Sequence, residues 1–167
     1  CSHQHAPNQP EPSGFDCGVR TGSILYFAHP VFRHYRTFGA VANREFIVRA
    51  IRAFLGDSLA LATNLPSTAR VALTTQPEEK RMVLHVLYAP AIQRGGAIQL
   101  LGGKGIEVIE DLPLLTGAAI TLHVPPSVTA ARLVPQEVPL PLERVGDRVK
   151  LCLPDFACHQ MIELTSV

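Results

Sequence analysis

The chain has no tryptophan, three tyrosines and two methionines in 167 residues. A broad aromatic platform for stacking sugar rings is therefore poorly supplied. Charged residues make up 17 % and the formal net charge is +1. That balance excludes binding to nucleic acid or a membrane surface by bulk charge. No apolar run approaches the roughly 20 residues that span a bilayer. No stretch has the basic start, apolar centre and small-residue cleavage site of a signal peptide. The four cysteines, Cys1, Cys17, Cys152 and Cys158, are too few and too unevenly placed for a disulfide scaffold. Cys152 falls in an apolar strand-like run and is expected to be a buried thiol.

Catalytic signatures are also missing. There is no G-x-S-x-G, and Ser23, Ser58 and Ser67 lack the strand-turn-helix setting that exposes a nucleophile. Nothing marks Cys17 as an activated thiolate. Gly95, Gly96, Gly102, Gly103 and Gly105 fit neither a P-loop nor a dinucleotide fingerprint. Glu78-Glu79 and Glu110-Asp111 are adjacent acids, and neighbouring side chains in turns and strands point apart. They do not form the facing pair that sugar hydrolysis needs. No catalytic residue and no cofactor are expected.

What is present is apolar patterning. Hydrophobic residues are 47 % of the chain, enough for a buried core. Cys1 to Gly18, with Pro7, Pro10 and Pro12, reads as a loop or extended arm. Ser23 to Ala28 is a short continuous apolar run, the pattern of a strand buried on both faces. Val31 to Phe38 reads as a loop or one helical turn. Val41 to Leu55 predicts a helix, with Phe46, Ile47, Ala50, Ile51, Phe54 and Leu55 on its apolar face and Gly56 as its stop. A strand and an amphipathic helix in this order match the last βα unit of a parallel α/β sheet, whose other strands would lie upstream.

After Gly56 the pattern changes. Ala69 to Thr75 and Arg81 to Tyr88 predict a hairpin, with Met82, Leu84, Val86 and Tyr88 on one side and Val83, His85 and Leu87 on the other. Ile106 to Ile109, Ala118 to Val124, Ala130 to Val134, Arg148 to Leu153 and Gln160 to Leu164 predict further strands. Gly146-Asp147 marks a tight turn. The expected fold is α+β overall. Residues 1–56 form the end of an α/β domain of flavodoxin or amidotransferase type, and residues 57–167 form a small antiparallel β-sandwich.

Two groups of residues are candidates for binding. His29, Arg33, His34 and Tyr35, with Arg36, follow the C-terminal end of the apolar strand, the edge where open α/β sheets place ligands. They would touch a polar ligand or line a subunit or domain interface. Cys1, His3 and His5 carry metal-ligand side chains. Their spacing matches no structural zinc pattern and no second ligand pair stands at a fitting interval, since Cys158-His159 is distant. No metal is expected.

Ser2-His3-Gln4-His5-Ala6-Pro7, Gly22 to Phe32 (GSILYFAHPVF) with Tyr35, Arg132-Leu133-Val134-Pro135 and His159 to Leu164 (HQMIEL) resemble the C-terminal part of bacterial β-galactosidase-like glycoside hydrolases of the family 42 type. The resemblance implies a catalytic barrel elsewhere, an amidotransferase-like trimerisation domain ending near Gly56, and a C-terminal β domain. It implies that the catalytic glutamates belong to the barrel, and no position here matches them. The expected partners are the upstream barrel portion and other copies of the same protein in a homo-oligomer, with carbohydrate met through the parent. A cytoplasmic location follows from this reading. The alternative is a stand-alone β-sandwich carbohydrate-binding or adhesion module, secreted or lipid-anchored through Cys1.

Overall fold

Side chains of a strand alternate between its two faces, and this rule builds most of the chain. In Arg81–Tyr88, Leu84 and Val86 are fully buried while Leu87 is exposed. The computed structural model describes residues 14–95 and 105–166. Every strand pair among them is antiparallel. The chain divides into two compact units, Cys1–Leu59 and Ala60–Val167.

The first unit holds strands β1 (Gly18–Thr21) and β2 (Ile24–Phe27) and helices α1 (Val31–Phe38) and α2 (Val41–Leu55). β1 and β2 form a hairpin in which Thr21 faces Ile24. The two-residue turn needs positive φ, which Gly22 supplies at 53°. Phe27 joins hairpin to helices. Its ring meets Phe32 at 5.6 Å and Phe46 at 5.5 Å, edge-on in both cases. The Arg20 guanidinium lies over the Phe54 ring at 5.2 Å.

The α2 boundaries agree with the sequence pattern. Val31–Phe38 is a two-turn helix rather than a loop or single turn. It stops at Gly39, whose left-handed φ of 64° lets its N–H reach Tyr35 O at 2.8 Å. The apolar run Ser23 to Ala28 differs from expectation. β2 pairs with β1, and Ile24 and Tyr26 are 60 % and 62 % exposed. A strand is covered on both faces only when layers stand on both sides, and the described residues supply a layer on one side. For the same reason Ile47 is buried on α2 while Ile51 and Leu55 remain open. The parallel sheet inferred for this region has no strand pair among the described residues.

The second unit is β-rich. Its strands are β3 (Leu61–Thr63), β4 (Arg70–Gln76), β5 (Arg81–Tyr88), β6 (Ile92–Arg94), β7 (Ile106–Val108), β8 (Leu114–Leu115), β9 (Ala119–His123), β10 (Val128–Val134), β11 (Val138–Leu140), β12 (Glu143–Val145), β13 (Arg148–Cys152) and β14 (Phe156–Ser166). One sheet runs β11-β10-β14-β5-β4, with β8 also on β14. A second runs β12-β13-β9-β3, and β6 pairs with β7 apart from both. Leu84, Val86, Ile162 and Leu164 from the first sheet share one core with Ile120, Leu122, Val149 and Leu151 from the second. All eight are fully buried. The arrangement is sandwich-like, and the described residues are mostly antiparallel sheet with two short helices.

Cys152 corrects an expectation. It is exposed, because its neighbours Leu151 and Leu153 take the inward positions and alternation sends Cys152 outward. Most of the glycine-rich segment lies outside the described residues.

Candidate functional site

The outward face of the larger sheet carries a grouping of polar side chains. β14 and β5 align with Met161 opposite His85 and His159 opposite Leu87. Both histidines occupy outward positions, since Leu84, Val86, Gln160 and Ile162 are the buried ones. They are therefore diagonal neighbours across the pair, within reach of long or aromatic side chains. His85 Nδ1 lies 3.2 Å from His159 Nε2. The rings are nearly parallel, 11° apart, with centroids 5.4 Å apart. With Arg70, Val71, Ala72 and Leu87 they line an open concavity of about 540 Å³.

Farther along the same face, Glu163 is held between two arginines. Arg132 Nε donates to its Oε2 and Arg81 Nη1 donates to its Oε1 at 3.2 Å. Gln76 Oε1 accepts from Arg81 Nε at 2.5 Å, and Glu137 lies 3.6 Å from Arg132 Nη1. The Glu163 side chain is 6 % exposed although it points away from the core, because the arginines cover it. Hydrogen bonding from Arg132, seconded by Arg81, holds its carboxyl below the usual carboxylate range, against the opposing effect of burial. A carboxylate locked in this way lacks the raised pKa that a general acid near neutrality needs.

The lowered pKa sets a pH dependence. A carboxyl whose folded pKa lies below its unfolded value of about 4.3 contributes stability that is complete above that value. The contribution disappears as pH falls through the folded pKa. Both arginines are more than a third exposed (38 % and 43 %). The loss should therefore be well below the roughly 3–5 kcal/mol cost of breaking a fully buried pair. Urea unfolding of the wild type and Glu163→Gln should converge as pH drops from 5 toward 2. Parallel curves over that range would mean the pair contributes nothing.

The residues singled out from the sequence lie elsewhere. His29 is half-buried in the turn after β2. Arg33, His34, Tyr35 and Arg36 stand exposed on α1, with the His34 ring 6.0 Å from Phe38. Cys1, His3 and His5 lie outside the described residues. Among the described residues no three His, Cys, Asp or Glu side chains converge to hold a metal ion. Glu110 is paired by Arg94 through two hydrogen bonds, 2.6 and 2.7 Å, so this member of the Glu110-Asp111 pair is engaged in a salt bridge.

No protein-family profile matches the chain, and no curated protein does. Among solved structures it resembles α-L-fucosidase isoenzyme 2 from Paenibacillus thiaminolyticus, with a TM-score of 0.85 and 32 % identity over 100 % of this chain. The chain is related to part of a glycoside hydrolase. It spans 24 % of that protein's length. The likeness supports the glycoside-hydrolase relationship read from the sequence, but not family 42 in particular.

Sequence reasoning missed the histidine pair and the Arg-Glu-Arg cluster. The parity of Arg81–Tyr88 does place His85 on the same side as Val83 and Leu87. The missing information was which strand lies beside it. Cys158-His159 was visible as a donor pair, but its neighbour is 74 positions away.

Proposed function

We propose that this chain is a non-catalytic accessory and assembly region of a glycoside hydrolase whose active centre lies in another part of the protein. The supporting observation is the whole-length likeness to a quarter of an α-L-fucosidase. It favours an α-L-fucoside over a β-galactoside as the substrate class of the parent. The Arg-locked Glu163 and the salt-bridged Glu110 agree with a role outside catalysis.

The first unit is the docking part in this reading, the end of an α/β domain that continues in the parent. Val31 and Ile47 are its buried apolar residues among those described. Ile24, Tyr26, Phe32 and Phe38 are 55–75 % exposed. Apolar surface on that scale in so small a unit calls for a partner. The occupant is the remainder of the parent chain or a second copy in a homo-oligomer, with His29, Arg33, His34 and Tyr35 beside the contact. Carbohydrate is met through the parent.

The purified chain should release no chromophore from aryl α-L-fucosides or aryl β-D-galactosides. It should self-associate in light scattering across a dilution series, and Ile24→Lys combined with Phe38→Lys should reduce that association. Both positions are open to solvent, so the double variant should keep its fold, as circular dichroism would check. Turnover abolished by Glu163→Gln, or a strictly monomeric wild type at high concentration, would overturn the proposal.

A further inference from the structure

We propose that His85 and His159 form a bidentate site for one divalent transition-metal ion, bridging β5 and β14 on the outward face of the larger sheet. This inference stands apart from the accessory role, since it rests on the geometry of two side chains. Two imidazole nitrogens bound to one tetrahedral ion at 2.0–2.1 Å are about 3.3 Å apart. His85 Nδ1 and His159 Nε2 are 3.2 Å apart. The spacing of a chelate's two donor atoms is therefore already present across β5 and β14.

Three features favour binding. Both rings sit on adjacent interior strands of one sheet, so the ladder hydrogen bonds fix the backbone beneath them. Little ordering entropy is left to lose on binding. The pair opens onto the concavity lined by Arg70, Ala72 and Leu87, which leaves room for water in the other coordination positions. Chelation takes the lone pair of the facing nitrogen of each ring. In the hydrogen-bonded pair one ring carries its proton on the facing nitrogen. Exchange with solvent moves that proton to the other nitrogen of the same ring, and both facing lone pairs become ligands. Imidazole donors favour copper(II) and zinc, with copper(II) the tighter. The Arg70 cation in the same concavity opposes binding and keeps the site weaker than a four-ligand structural centre.

The test uses the full chain with Cys1→Ser, His3→Gln and His5→Gln, so that the N-terminal donors cannot contribute. Titration calorimetry with zinc chloride and with copper(II) chloride should find one ion per chain. His85→Gln and His159→Gln should each weaken binding at least tenfold, and the double variant should remove it. His34→Gln should leave binding unchanged. The copper(II) complex should show two nitrogen ligands by electron paramagnetic resonance, and zinc should raise the melting temperature of the parent but not of the double variant. Both histidines are outward, so the metal-free variants should melt as the parent does. Absence of binding by the chain carrying both histidines would overturn the proposal. So would an affinity that persists in the double variant.

Discussion

Ile162→Asp should abolish folding of the Ala60–Val167 unit. Ile162 is fully buried on β14, opposite Leu84 of β5 and Leu133 of β10. β14 pairs with β5, β10 and β8, so a fault there reaches most of the larger sheet. A carboxylate at this position has no cation among the core residues. Burying it costs several kcal/mol, or the group takes up a proton at nearly equal cost. Ile162→Ala should cost about 2–5 kcal/mol through lost contacts and the cavity left behind. The whole stability of an ordinary domain is about 5–15 kcal/mol. The aspartate should therefore leave little folded population, and the alanine should leave a weakened cooperative transition. Amide hydrogen exchange would read both. Slow exchange of β5 and β14 amides persisting in Ile162→Asp would show that the core does not close there.

Ile47→Asp should undo the first unit and spare the second. Ile47 is 7 % exposed on α2, in a unit whose other buried apolar residue among those described is Val31. The Phe27 contact with Phe46 depends on α2 staying against the hairpin. A helix of 15 residues is marginal in water without tertiary packing. The charge should therefore remove most of the α2 helix signal while β14 and β5 amides stay protected. Ile51→Asp is the informative control. Ile51 is 37 % exposed, so in this chain the same charge should cost far less. Equal damage from both substitutions would place Ile51 inside a contact that the chain makes with another copy.

The two helix positions show how far a sequence pattern reaches. Spacing along Val41–Leu55 identifies a helix and its apolar stripe, because 3.6 residues per turn is a local property. It puts Ile47 and Ile51 in one class. Which of them is covered depends on what stands opposite: the hairpin reaches Phe46 through Phe27 and Phe54 through Arg20, while Ile51 stays 37 % exposed. The same limit governs Ser23 to Ala28. A short apolar run says that a strand can be buried on both faces, while layers elsewhere decide whether it is.

Among the strands, local chemistry again carried the outline. Alternation in Arg81–Tyr88, Gly146-Asp147 at a turn and regularly spaced apolar segments are enough to specify a hairpin-rich antiparallel unit. Extending the same parity from Leu151 and Leu153 would have turned Cys152 outward, whereas the apolar composition of the run suggested burial. Composition reads Val31–Phe38 as a loop or one helical turn, whereas Pro30 and Gly39 bound a helix of eight residues.

The sequence by itself determined the helix α2, the β-rich second unit and the absence of a recognisable catalytic motif, since period, turn chemistry and motif are written in neighbouring residues. Tertiary structure alone decided the polar face. Register brings His159 beside His85 across 74 positions, and Arg81 and Arg132 onto Glu163 across 82 and 31. Register is set by which apolar faces close on a shared core. Leu84, Ile162 and Leu133 fix that closure from one side, and whatever stands outward on the same three strands is brought together as a consequence.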